Sequence, residues 1–135
     1  MLLHFDSANH LAESIYASGD DGNFARKLMQ SPLGHLAKGI GWYLDNGALV
    51  RQYHRRMFVG SVENMDADRR RLSQLLGDGI LERNGDLHIR TSHHDAKISA
   101  KGARNLRQWY NNTDYAALRE LVRLGLLDPN SYDLS

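Results

Sequence analysis

Three consecutive arginines, Arg69-Arg70-Arg71, with Gln74 one helical turn on, form the densest group of side chains here that could recognise a ligand. A guanidinium pairs phosphate oxygens through two parallel hydrogen bonds and fits the edge of guanine, and a glutamine amide fits adenine. Arg55 and Arg56 precede this group, and Arg90, His93, His94, Lys97 and Lys101 follow it. The chemistry these types imply is the holding of a polyanion, not the making or breaking of a bond.

Bond-making chemistry finds little support. The chain has no cysteine, which removes thiolate nucleophiles, thiolate metal sites and a disulfide framework. Ser7, Ser31, Ser61 and Ser73 each suit a helix cap or a surface position better than a nucleophile, and Asp20-Asp21 reads as a turn. Gly34, Gly39 and Gly41 follow no strand, so they do not make a phosphate loop. His88, His93, His94 and Asp95 have the ligand types for zinc, but no pair of histidines four residues apart on a helix supports a closed site. The expectation is a non-enzymatic protein without metal or cofactor.

Charge is unevenly spread. From Val50 to Arg107 there are twelve lysines and arginines against seven acids, whereas the remainder carries five against nine. A basic centre between acidic ends suits a nucleic-acid-binding middle. At 135 residues, with 41% apolar and 24% charged side chains, the chain fits a single globular domain. The start, Met1 to Asp6, lacks the shape of a secretory signal, and no apolar run approaches membrane-spanning length. A cytoplasmic protein with no membrane partner is expected.

The elements that must position these residues are punctuated by glycine. Ser7 is expected to cap a helix to about Ala17, and Phe24, Leu28 and Met29 mark a second. Ser31-Pro32 opens a third, running to Leu44 and carrying Gly34, Gly39 and Gly41. A fourth spans Ala48 to Phe58, and a fifth spans residues 64 to 77, entered by Asn64 or Asp66 and closed by Gly77. Asn84-Gly85 signals a hairpin turn. Leu87 to Thr91 alternates like a strand, Ser92 to Asp95 forms a polar tip, and Ala96 to Ser99 returns as a second strand. Ser99 then caps a helix to Tyr110, and Thr113 caps a last one to Gly125.

The segment Arg71-Leu72-Ser73-Gln74-Leu75-Leu76-Gly77-Asp78-Gly79-Ile80-Leu81-Glu82-Arg83, followed by Lys97-Ile98-Ser99-Ala100-Lys101-Gly102, resembles the winged-helix DNA-binding domains, in outline those of MarR-like regulators. The tip, His94-Asp95-Ala96, lacks that family's Asp-x-Arg clamp. The resemblance implies a mainly α fold with a small β-hairpin wing, a winged helix-turn-helix with extra N- and C-terminal helices. Residues 1–46 would supply N-terminal helices, 47–110 the winged core and 113–125 a C-terminal helix. It also implies a transcriptional regulator contacting duplex DNA through helix 64–77 and wing 86–99. Arg69, Arg70, Arg71 and Gln74 would enter the major groove, with Arg55, Arg56, Arg90, His93, His94, Lys97 and Lys101 on the backbone. Such regulators pair through terminal helices, so a homodimer is expected.

Glu63, Asp66 and Asp68 suit the positive end of the fifth helix but repel phosphate, and Asp66 is spaced to pair with Arg69 and Arg70. The competing expectation is a protein-binding module, such as a phage or mobile-element inhibitor or adaptor of a host complex. That reading requires an exposed apolar patch, with the glycine-bearing segment from Pro32 to Leu44 as the place for it.

Overall fold

The structure, a computed structural model, describes residues 4–32, 34–62, 64–77, 97–131 and 134. Ser7 is extended, and its Oγ accepts the amide of His10 at 3.1 Å, starting α1 (Ala8–Ser14). Gly22, Ala25 and Met29 of α2 (Asp20–Met29) turn inward. Arg26 of α2 donates to the Ile15 carbonyl at 2.8 Å, satisfying the open end of α1. Phe5, Leu11, Ile15, Ala25 and Met29 form a core, completed by Leu106, Trp109 and Tyr110 of α6 (Ala100–Tyr110).

Helix α6 lies against α1, and polar side chains fasten the pair. The Ser99 Oγ accepts the Gly102 amide at 3.0 Å as the cap of α6. Its own amide donates to Asn9 Oδ1 at 2.7 Å, and its hydroxyl donates to the Glu13 carboxylate. Asn105 Nδ2 donates to the carbonyls of Ala12 and Glu13 at 3.0 and 3.1 Å. The Ser99 hydroxyl and the Asn9 amide hold the Glu13 carboxyl below its usual range.

A second group gathers around α7 (Asp114–Arg123), which packs on α3 (Ile40–Tyr43), the 3-10 turn Asp45–Gly47 and α4 (Ala48–Tyr53). Val50, Ala117 and Leu121 are buried here. Complete burial of an aliphatic side chain such as Ile15, Val50 or Leu121 contributes roughly 1.5–3 kcal/mol. Asp114 Oδ1 accepts the Gly41 amide at 2.9 Å, and Gly41 lies against the Thr113 backbone so closely that a Cβ would collide with it.

Several expectations change. The helix expected from Ser31 to Leu44 is broken into a 3-10 turn (His35–Ala37) and the single turn of α3. Gly34 and Gly39 are extended, and α7 occupies the space that side chains on Gly39 and Gly41 would need. The helix expected to reach Phe58 stops at Tyr53, continues as a 3-10 turn (His54–Arg56) and gives way to extended Met57. Helix α5 (Met65–Leu76) matches its expected bounds, and Gly77 closes it at φ 90°.

The winged helix-turn-helix fold is not what the structure shows. The described residues hold seven α-helices and no strand, so no β-hairpin wing is present among them. Most of the expected hairpin, Leu87 to Ala96 included, lies outside the described residues. Lys97, Ile98 and Ser99, its expected returning end, form no strand; they lead into α6, and Ser99 bonds to side chains of α1. Ala100 to Gly102 are the first turn of α6, which Ser99 caps as expected. The N-terminal, central and C-terminal portions also interleave, because α6 packs on α1 and α7 on α3 and α4. No helix among the described residues is long and apolar enough to cross a membrane.

Candidate nucleic-acid interface

The arginine-rich stretch begins where α4 ends. His54 Nδ1 lies 3.1 Å from the Arg51 carbonyl, and the chain tightens into the 3-10 turn that carries Arg55 and Arg56. Gln52, Tyr53, His54, Arg55 and Arg56 line an open cleft of about 470 Å³. Arg51 itself turns away, to the carboxylate of Glu120 at 3.4 Å on α7. Glu120 also binds Arg123, at 2.7 Å, and that hydrogen bond lowers its pKa, with Arg51 adding a smaller effect.

After Met57 the chain turns back to start α5. Asn64 precedes the helix without a side-chain cap. Asp68, in the first turn, reaches back instead, and its Oδ2 accepts the Ser61 amide at 2.8 Å. Arg71 closes the same turn by donating to the Val59 carbonyl at 2.9 Å. Its guanidinium stacks 4.7 Å from the centre of the Phe58 ring and lies 3.6 Å from Asp68 Oδ1.

Helical spacing puts Asp68, Arg71 and Leu72 on one side of α5, with Asp66, Arg70 and Gln74 opposite and Arg69 at the flank. Arg69, Arg70 and Gln74 are exposed. The expected pairs of Asp66 with Arg69 and Arg70 are not formed; the acid of this turn that finds a partner is Asp68, with Arg71.

Arg55, Arg56, Arg69 and Arg70 are thus four exposed guanidinium groups with no hydrogen bond, ion pair or ring contact among the described residues. Among the described residues, Arg26 is spent on α1, Arg51 and Arg123 on Glu120, and Arg119 on Asn111, while Arg104 on α6 is exposed and likewise makes no such interaction. The turn bridged by Arg71 joins the two free pairs, one just before it and one on the helix after it. Lys97 and Lys101 are exposed too, but they belong to the entrance of α6, where Lys101 lies near enough to Glu13 to help lower its pKa. Arg90, His93 and His94 lie outside the described residues.

Sequence reasoning placed Arg71 among the contacts and Asp68 among the repelling acids, and did not pair the two or single out Phe58. The available signal was the three-residue spacing of Asp68 and Arg71, which the adjacent Asp66 obscured. Trp109 and Tyr110 pack against the core, and Trp42 stands 58% exposed, with the Lys38 ammonium 5.2 Å from its ring centre. Leu11 of α1, Ile15 just after it and Leu121 of α7, on the terminal helices through which pairing of two copies is expected, are buried within one chain. Among the described residues no three His, Asp or Glu side chains gather at metal-holding distances. No protein-family model matches this chain, and no curated protein or solved structure is significantly similar to it.

Proposed function

We propose that this chain binds duplex DNA, as a transcriptional regulator, through α5 and the arginine-bearing turn before it. The observation that carries the reading is the set of four unspent arginines, Arg55, Arg56, Arg69 and Arg70, at the two ends of one bridged turn. An exposed α-helix fits the major groove, where Arg69, Arg70 and Gln74 have the donors and acceptors that base edges recognise. Arg55 and Arg56 have the chemistry to hold the phosphate backbone, which positions a protein without reading sequence. Asp68 offers less repulsion than its position suggests, because the Ser61 amide and Arg71 answer its charge.

The test is a titration of the full chain against random-sequence duplex at two salt concentrations, followed by selection of bound fragments. Affinity that falls steeply with salt and is lost in the Arg69→Ala/Arg70→Ala variant supports the reading. No binding to any duplex at low salt sinks it.

A protein-binding role is the second reading, favoured by one observation. Leu36, Ile40, Trp42 and Tyr43 are all exposed in the glycine-bearing segment, with Tyr43 packed edge-on against Trp42. A contiguous exposed apolar patch is a candidate partner site. A partner retained by the Arg69→Ala/Arg70→Ala variant and lost on Trp42→Ala selects this reading. Pairing of two copies through α1 and α7 would need surfaces other than their buried stripes, and light scattering at micromolar concentration measures it directly.

A further inference from the structure

We infer that Asp68 and Arg71 form a latch that sets the position of α5, so that Arg71 is a positioning residue while Arg69 and Arg70 meet the ligand; the ligand half of this statement rests on the duplex-DNA reading above. One guanidinium makes three different interactions here. It donates to a backbone carbonyl, faces a carboxylate and covers an aromatic ring, and the carbonyl and the ring belong to the strap Phe58–Val59. Asp68 completes the closure by accepting the Ser61 amide, so the helix grips the strap at two successive turns.

This grip matters because, among the described residues, α5 has little else to hold it. None of its residues is buried there, and it takes part in none of the main interhelical packings among the described elements. An ion pair on an open surface contributes little by itself. Here the Asp68 side chain is only 17% exposed, and the pair is reinforced by charge-assisted hydrogen bonds and by stacking. Lysine cannot replace arginine in such a place, since it lacks both the planar fork and the stacking face.

Two substitutions separate a latch from a simple contact by the sign of their effect. Asp68→Ala removes an acid beside a phosphate-binding surface, and charge alone would tighten binding. The latch requires the reverse, a loss of about tenfold in duplex affinity. Arg71→Lys keeps the charge, so a mere phosphate contact would hold its affinity, whereas the latch loses a similar factor. The second readout needs no ligand: amide hydrogen exchange at Ser61 and along α5 rises in both variants and stays at the wild-type rate in Arg69→Ala/Arg70→Ala.

Tighter binding by Asp68→Ala, full affinity in Arg71→Lys, or unchanged exchange in both would overturn the latch. If the wild-type chain binds no duplex, the proposed function fails by itself, and the exchange rates alone decide whether Asp68 and Arg71 hold the helix.

Discussion

Helices α5 and α6 are close in length, twelve and eleven residues, and each carries three basic side chains, yet they are held in opposite ways. Helix α6 is capped by the Ser99 hydroxyl, lies against α1 at Gly102 and is fastened by Asn105. Helix α5 has no side-chain cap and no fully buried residue among the described residues, and Arg71 and Asp68 tie it to the preceding turn. A helix anchored by its apolar stripe and its cap does not need its charges for support. One anchored by a single arginine has spent that arginine, and the neighbours left over, Arg69 and Arg70, are free for something outside the chain.

The comparison can be broken most severely in the core. Ile15→Ala is expected to cost about 2–5 kcal/mol of unfolding free energy, as deletion of a fully buried aliphatic side chain does. Leu75→Ala on α5, where the side chain is 69% exposed, is expected to stay within about 0.5 kcal/mol. Denaturant titration of both variants measures the contrast, and equal losses would remove it.

Next in size is the ligand side. Arg69→Ala/Arg70→Ala is expected to lower duplex affinity by about 10- to 100-fold and to flatten its salt dependence by about two ions, with stability unchanged. Lys101→Ala on α6 is expected to change affinity much less, because that residue lies at the α1–α6 junction. Equal effects would mean that the basic surface is not divided between the two helices.

Smaller effects come from the helix entrances. Ser99→Ala should cost about 1 kcal/mol, because a used N-cap is lost. Asn64→Ala should cost only a few tenths, since the Asn64 side chain caps nothing.

The smallest effect is one of pH. Ser99 is the main cause of the lowered Glu13 pKa, with Asn9 next. A carboxyl whose pKa is lower in the folded chain stabilises the fold above its unfolded value, and the contribution fades as pH falls through the folded value. The stability gap between wild type and Ser99→Ala should therefore narrow as the solution is acidified below the ordinary carboxyl value of 4.5. A gap independent of pH in that range would show that the Ser99–Glu13 bond does not couple to folding.

What could be read from the chain was governed by near neighbours. Ser7 and Ser99 each cap a helix three residues away, and Gly77 closes α5. These interactions are local, so the order of residues carries them. The free arginines were also visible as a basic cluster, but which of them were free was not.

The winged-helix expectation failed for a related reason. Ile98-Ser99-Ala100-Lys101-Gly102 suits the end of a strand and the cap of a helix equally well as a pattern. Asn9 and Glu13, some ninety residues earlier, decide the matter by taking the Ser99 amide and hydroxyl. The glycine-bearing segment was misread as one helix because the entrance of α7, where the Asp114 side chain fills the space beside Gly39 and the Thr113 backbone that beside Gly41, lies more than seventy residues away.

Composition and spacing thus determined by themselves the bounds of α5, α6 and α7, and that the middle of the chain is basic. The division of the arginines was left to tertiary structure. A guanidinium is spent or free according to whether a carbonyl, carboxylate or ring stands within reach, and among the described residues the fold supplies all three to Arg71 and none to Arg69 or Arg70.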